Sequence, residues 1–173
     1  VHGSTVAEGI AVKVPGILTT QLIKRYVDDM LLVSEQDVEQ AIFDLIEIEK
    51  TVAEGAGAVG LAVVRNHKAR FQNRRVGMIV CGGNIDMMIL SSVLQRGMVR
   101  SHRLVRLQVE IPDTPGALAN LTTLLGELDS NIMDIQHQRA FGGSSVRASL
   151  VELVLQMRGE EQESNVAQVL EDQ

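Results

Sequence analysis

The chain has 173 residues, with 16 Lys and Arg against 22 Asp and Glu (net charge −6), 45% hydrophobic residues and 2% aromatic residues. That apolar share suits one packed domain or two small ones and excludes wholesale disorder. The acidic balance and few rings argue against a nucleic-acid surface, and no apolar run approaches the roughly 18 residues of a membrane span.

The chain opens Val1-His2-Gly3, without an initiating methionine or a signal-peptide pattern, as a piece of a longer polypeptide would. Apolar residues at helical spacing predict a helix over Ile17 to Tyr26, and Met30-Leu31-Leu32-Val33 is a short continuous apolar run. Ser34, three before Asp37, is a capping signal for a helix with an apolar stripe of Val38, Ala41, Ile42, Leu45, Ile48 and Val52. Glu54-Gly55-Ala56-Gly57-Ala58 opens a small-residue helix to about Val64. Met78-Ile79-Val80 reads as a buried strand ending at Cys81-Gly82-Gly83-Asn84. Short apolar strands between amphipathic helices predict an α/β half with a parallel sheet.

A polar, Gly-containing stretch at 97–103 marks a junction between two units, 1–96 and 104–173. The charge is uneven across it: residues 1–96 carry 10 basic and 11 acidic side chains, residues 97–173 carry 6 and 11. In the second unit Val105, Leu107, Val109 and Ile111 alternate with polar residues, a half-buried strand. Asp113-Thr114-Pro115-Gly116 is turn chemistry, and Leu118, Leu121, Leu125 and Leu128 mark one helical face. Strands at 132–139 and 148–156, a hairpin at Gly142-Gly143 and a polar helix at about 161–170 complete a βαββα order, an α+β sandwich.

Chemistry-bearing residues are sparse. His2, His67, His102 and His137 have no second ligand at useful spacing, so no metal site is expected. Cys81 is the only cysteine, which excludes a disulfide framework and fits a reducing cytoplasmic setting. It ends a predicted strand before two glycines, a placement for a thiol at a sheet's carboxyl edge or for a small buried one. No G-x-S-x-G, G-x-G-x-x-G or phosphate-loop motif occurs. Glu54 reads either as a solvated helix-terminal carboxylate or as one facing a ligand. The Asp113–Gly116 turn, at a helix N-terminus, can receive a small carboxylate or be a plain turn.

Thr5-Val6-Ala7-Glu8-Gly9, Val27-Asp28-Asp29, Glu54–Ala58 and Cys81-Gly82-Gly83-Asn84-Ile85-Asp86 stand in the order seen in threonine ammonia-lyases (threonine dehydratases). These are pyridoxal-phosphate enzymes of the tryptophan-synthase-β type, fold type II. The D-x-P-G turn at Asp113–Gly116, Ser130-Asn131-Ile132 and Arg139-Ala140-Phe141 resemble the C-terminal ACT domain of bacterial members, an α+β ferredoxin-like module. The resemblance implies a C-terminal portion of the catalytic domain over 1–96 and an ACT-like regulatory domain over 104–173 that lacks its last strand.

It further implies a cofactor-facing set of Cys81, Gly82, Gly83, Asn84, Gly9 and Glu54, with Cys81 a neutral partner for the pyridine nitrogen. None of Lys13, Lys24, Lys50 and Lys68 sits in the family's Schiff-base motif, so this chain alone is expected to be inactive. The intact enzyme would convert L-threonine to 2-oxobutyrate and ammonia, with L-serine a second substrate. Asp113, Gly116, Ala117, Asn131 and Ile132 would take a regulatory amino acid such as isoleucine or valine, and the ACT-like half would pair with its own copy. The rival readings are a non-enzymatic ACT-type regulatory or oligomerisation module, and a parent with serine racemase or serine dehydratase activity.

Overall fold

The computed structural model describes residues 5–139 and 144–172. The chain divides into two compact units, Val1–Gly97 and Met98–Gln173. The expected hairpin at Gly142-Gly143, with Ala140, Phe141 and His2, lies outside the described residues.

The first unit runs through a short 3-10 turn at Glu8–Ile10, then α1 (Ile17–Tyr26), α2 (Glu35–Glu47), α3 (Gly55–Asn66), a single turn α4 (Lys68–Phe71) and α5 (Met87–Arg100). A capping box starts α2: the Asp37 N–H donates to Ser34 Oγ at 3.2 Å, and the Ser34 N–H donates to Asp37 Oδ2 at 3.0 Å. Val38, Ala41, Ile42, Phe43 and Leu45 bury one face of α2, which packs against α3. The helix stops at Glu47, so Ile48 and Val52 leave the predicted stripe and are exposed. Lys50 at φ 55° turns the chain back there, and the Thr51 N–H donates to the Leu45 carbonyl.

No strand forms among the described residues of this unit, which corrects the expected parallel sheet in this chain. Met30–Val33 and Met78–Val80 are neither helical nor paired, and Leu32 (91%) and Ile79 (86%) are largely exposed. The physical reason is that a strand needs a neighbour to take its backbone N–H and C=O groups. An apolar run can nominate a buried strand but cannot supply that neighbour.

The second unit holds β1 (Leu104–Pro112), α6 (Ala117–Glu127), β2 (Asn131–Gln138), β3 (Ala148–Gln156) and α7 (Glu160–Glu171). The antiparallel sheet has the order β1-β3-β2, with Leu107 opposite Leu153 and Ile135 also opposite Leu153. Ser149, Val151, Leu153 and Leu155 alternate inward along β3 and are fully buried. Their face meets Val105 and Ile111 of β1, Leu121 and Leu125 of α6 and Val166 of α7, so both helices cover one side of the sheet. The period-two pattern in β1 and the leucine face in α6 therefore built the layers they predicted.

Two local details fix the register. Helix α6 ends in a Schellman closure: the Ser130 N–H donates to the Leu125 carbonyl and the Asp129 N–H to that of Gly126, with Asp129 at φ 56°. A register shift between Ile132 and Asp134 then offsets β2 against β3. The junction expected at 97–103 is only partly irregular, since residues up to Arg100 complete α5 and only 101–103 form a turn.

Candidate functional site

The site in the first unit grows from the N-terminal turn of α3. A Cβ on Gly55 would overlap the Val6 carbonyl, and one on Gly57 would overlap the Cys81 carbonyl oxygen. Two chain segments therefore lie directly on the helix backbone, one carrying Gly9 and the other Cys81–Asn84. The small residues at 55–58 exist for this approach. From sequence they are visible only as a helix of low bulk; two glycines two apart at a helix start were the available signal.

Glu54 joins the segments. Its backbone N–H donates to the Gly82 carbonyl at 3.1 Å. Its side chain lies over the Cα of Gly82, which sits at φ 75°, where any Cβ would strike the Glu54 carboxylate. Glu54 Oε1 is also 3.2 Å from the position a Cβ would take on Gly9, and Gly83 packs beside the Val52 carbonyl. These contacts border a cleft of about 520 Å³ lined by Val6, Gly9, Glu54, Ala56, Asn84 and Ile85, with Glu8, Asp86 and Ile89 at its margin.

Of the six residues expected to face a cofactor, Gly9, Glu54 and Asn84 line this cleft, with Gly82 and Gly83 placed by Glu54 and Val52. Cys81 is exposed, its carbonyl packed on α3 and its side chain outside the lining. The cleft's charged lining is Glu8, Glu54 and Asp86, without a Lys or Arg. Asp86 Oδ1 is engaged by the Met88 and Ile89 N–H groups at 2.8 and 3.1 Å, an N-terminal cap on α5. A cradle of glycines with carboxylates and no cation fits one edge of an aromatic ring or a cationic nitrogen. It does not fit a phosphate, which needs N–H donors or basic side chains.

Among the described residues no cluster of three or more His, Cys, Asp or Glu could hold a metal. His102 Nδ1 is 2.5 Å from Glu163 Oε2, and His137 Nε2 is 2.8 Å from Ser149 Oγ. Both are structural pairings within the second unit.

The second unit spreads its expected ligand residues over two places. Pro112 pairs with Ala148 and Asn131 with Gln156. The Asp113 turn and Asn131 thus stand at opposite ends of β3, about 26 Å apart at ~3.3 Å per residue. Within one chain the structure does not bring Asp113, Gly116 and Ala117 together with Asn131 and Ile132. Asn131 Nδ2 donates to Gln156 Oε1 at 3.2 Å, and Ile132 packs on the hydrophobic core. Ala117 lines a cleft of about 630 Å³ with Thr114, Asn120, Leu121, Leu124 and Leu170; Gly116 (φ 91°) precedes α6 beside it.

Sequence reasoning missed the clamp at this turn. Arg139 Nε lies 3.1 Å from Asp113 Oδ1, and the Asp113 N–H donates to the Arg147 carbonyl. The Ser144 hydroxyl and N–H donate to the two oxygens of Glu110 at 2.6 and 2.8 Å, and these bonds hold its carboxyl below the usual carboxylate range. Partners 26 to 34 positions apart leave no local spacing to read.

Comparison with known proteins gives these sites a context. Residues 1–82 match a family described as "Pyridoxal-phosphate dependent enzyme". The chain is 39% identical over 166 residues to the L-threonine ammonia-lyase of Thermotoga maritima, covering 96% of this chain and 41% of that protein. It is 40% identical over 155 residues to that of Geobacter sulfurreducens, covering 90% and 39%. A Staphylococcus aureus protein named L-threonine dehydratase catabolic TdcB is 38% identical over 98 residues, 55% of this chain and 28% of that protein. The chain thus spans about two fifths of the length of the first two relatives.

Proposed function

We propose, on the premise that residues 1–82 carry a pyridoxal-phosphate-dependent enzyme domain and that the chain is a homologue of threonine ammonia-lyases, that it is the C-terminal part of such a lyase. The whole protein would convert L-threonine to 2-oxobutyrate and ammonia. The observation that carries this reading is the meeting of Gly9, Glu54 and the Gly82–Asn84 turn around one cleft, from segments some 70 positions apart.

When bound, pyridoxal phosphate supplies an electron sink that weakens the substrate's Cα–H bond and lets its β-hydroxyl leave. This chain's residues receive one edge of the ring. Gly82 and Gly83 admit it without side-chain obstruction, and Asn84 offers a hydrogen-bonding amide. Cys81, exposed beside the turn and outside the cleft lining in this chain, would be the neutral partner of the pyridine nitrogen in the intact enzyme, which would keep the sink weaker than an aspartate partner would and favour elimination over transamination. The acidic lining leaves the phosphate and the Schiff-base lysine to the part of the enzyme outside these 173 residues. L-Serine is a second substrate, since one missing methyl alters binding by only about 1–3 kcal/mol.

In the second unit the cleft beside Ala117 and Thr114 would take a branched-chain amino acid, its apolar part against Leu121, Leu124 and Leu170. Asn131 and Ile132, at the far end of the sheet, would join such a site through a second copy of the domain. No helix among the described residues is long and apolar enough to cross a membrane, and the setting is proposed as cytoplasmic.

The test is to express the full-length parent and the 173-residue chain separately with pyridoxal phosphate. The parent should show the visible band of the bound cofactor and release 2-oxobutyrate from L-threonine, and the chain alone neither. A parent with neither property overturns the reading. Calorimetric titration of the parent with isoleucine, valine and threonine tests the second unit; three flat titrations would reduce it to an oligomerisation device.

A further inference from the structure

We propose that Glu35 is a positioning residue for the cofactor cleft: its carboxylate grips Thr5 and Val6 and so sets where the Val6–Gly9 wall of the cleft stands on α3. The inference rests on the cofactor reading above and goes beyond it by assigning a role to a side chain outside the cleft lining.

Glu35 opens α2, but that helix start is already served by the Ser34–Asp37 capping box. The Glu35 carboxylate is used elsewhere, on partners 30 and 29 positions away. The Thr5 hydroxyl donates to Oε1, and the Val6 N–H donates to Oε2 at 2.9 Å. Thr5 Oγ1 in turn accepts the Ala7 N–H at 3.1 Å. Both carboxylate oxygens thus hold one short segment, through charge-assisted bonds, which are stronger than neutral ones.

The other side of that segment rests on α3. The Val6 carbonyl lies where a Cβ on Gly55 would stand, so Val6 is held by α2 at its N–H and meets α3 at its C=O. Ala7, next in line, is buried, and its carbonyl accepts the Ile10 N–H in the turn that carries Gly9. A Cβ on Gly9 would be 3.1 Å from Ala56 and 3.2 Å from Glu54 Oε1. Val6 and Gly9 line the cleft and Glu35 does not. Since α2 packs against α3, the grip ties this wall to the same pair of helices that presents Glu54 and Ala56. A displacement of Val6 would pass through Ala7 and Glu8 to Gly9, and misplacement by an ångström costs up to about a hundredfold in rate.

The experiment uses the full-length parent, in wild-type form and as Glu35→Ala, Glu35→Gln and Ser34→Ala. Three properties are read at saturating pyridoxal phosphate: kcat and KM for L-threonine, the circular dichroism of the bound cofactor's visible band, and the thermal midpoint. Glu35→Ala loses both bonds, so kcat should fall roughly tenfold, with a changed visible dichroism that reports the ring's altered surroundings. Glu35→Gln keeps one acceptor oxygen, and its amide cannot accept the second donor, so it should fall between Glu35→Ala and wild type. Ser34→Ala weakens the start of the same helix without touching Thr5 or Val6. It should lower the thermal midpoint while leaving kcat and the visible dichroism at wild-type values.

A wild-type parent without the band overturns the cofactor reading, and this inference with it. A wild-type parent with the band, whose Glu35→Ala variant keeps its kcat and visible dichroism, overturns this inference alone. So does a Ser34→Ala variant that loses as much kcat as Glu35→Ala, because the effect would then belong to α2 and not to the grip. If Glu35→Ala does not fold, Glu35→Gln decides by the same comparison.

Discussion

Gly57 and Gly60 lie on the same helix and should respond to alanine with opposite signs. Replacing a helical glycine by alanine gains about 0.5–1 kcal/mol, because the unfolded chain loses freedom and the helix gains propensity. At Gly60 the added methyl would be 3.9 Å from Met78, ordinary contact, so Gly60→Ala should stabilise by roughly that amount. At Gly57 the methyl would overlap the Cys81 carbonyl, and α3 and the Cys81 segment must part by about an ångström; overpacking of this kind costs about 1–3 kcal/mol. The propensity gain is common to both sites, so the difference between the variants isolates the steric term at ~1–3 kcal/mol. Urea unfolding of the purified chain, followed by far-UV circular dichroism, should place the Gly57→Ala midpoint below that of Gly60→Ala by about 1 M. Equal midpoints would mean that the Cys81 carbonyl does not rest on α3, and the cleft built on that contact would lose its floor.

Removing the Ser34 cap by Ser34→Ala should cost ~1 kcal/mol of α2 stability, seen as lost helical ellipticity. The Ser34 hydroxyl and N–H hold Asp37 below the usual carboxylate range, so this contribution is present above pH ~4 and is lost as pH falls through the folded-state value. The wild-type acid transition should show that loss in full and Ser34→Ala, which keeps the backbone N–H donor to Asp37, only in part. Glu110, lowered by Ser144, follows the same sign; Ser144→Ala should move its carboxyl resonance titration upward toward the ordinary value in NMR. Leu153, fully buried on the central strand, should cost about 2–5 kcal/mol as Leu153→Ala, read as a lower thermal midpoint of the second unit. On the proposed cofactor reading, Cys81→Ser in the parent should retain 2-oxobutyrate release and Cys81→Asp should lower it, by coupled assay of both variants at matched cofactor occupancy.

How much was legible in the sequence depended on where the information sits. Alternation at Val105–Ile111 and the leucines of α6 announced their layers because burial on one face leaves a period in the chain itself. Ser34 announced α2 because its cap partner is three residues away. By contrast, Met30–Val33 and Met78–Val80 have the composition of buried strands without an intrachain neighbour to pair them, so composition overstated the structure. The convergence of Gly9, Glu54 and Asn84 became legible only through the family resemblance, since no spacing rule links positions so far apart. Asp113 and Asn131 show the converse: both stood in recognisable motifs, and the β3 register separates them.

The exposed runs and the acidic cleft each leave a physical requirement unmet among the described residues. Leu32 and Ile79 expose apolar surface that water disfavours by roughly 25 cal/mol per Å², and unpaired backbone beside them invites another strand. The cleft offers carboxylates and glycines but no basic lining side chain, so a phosphate placed there would find no charge partner among its lining residues. A strand laid along Met30–Val33, or one laid along Met78–Val80, would cover that run and pair its backbone.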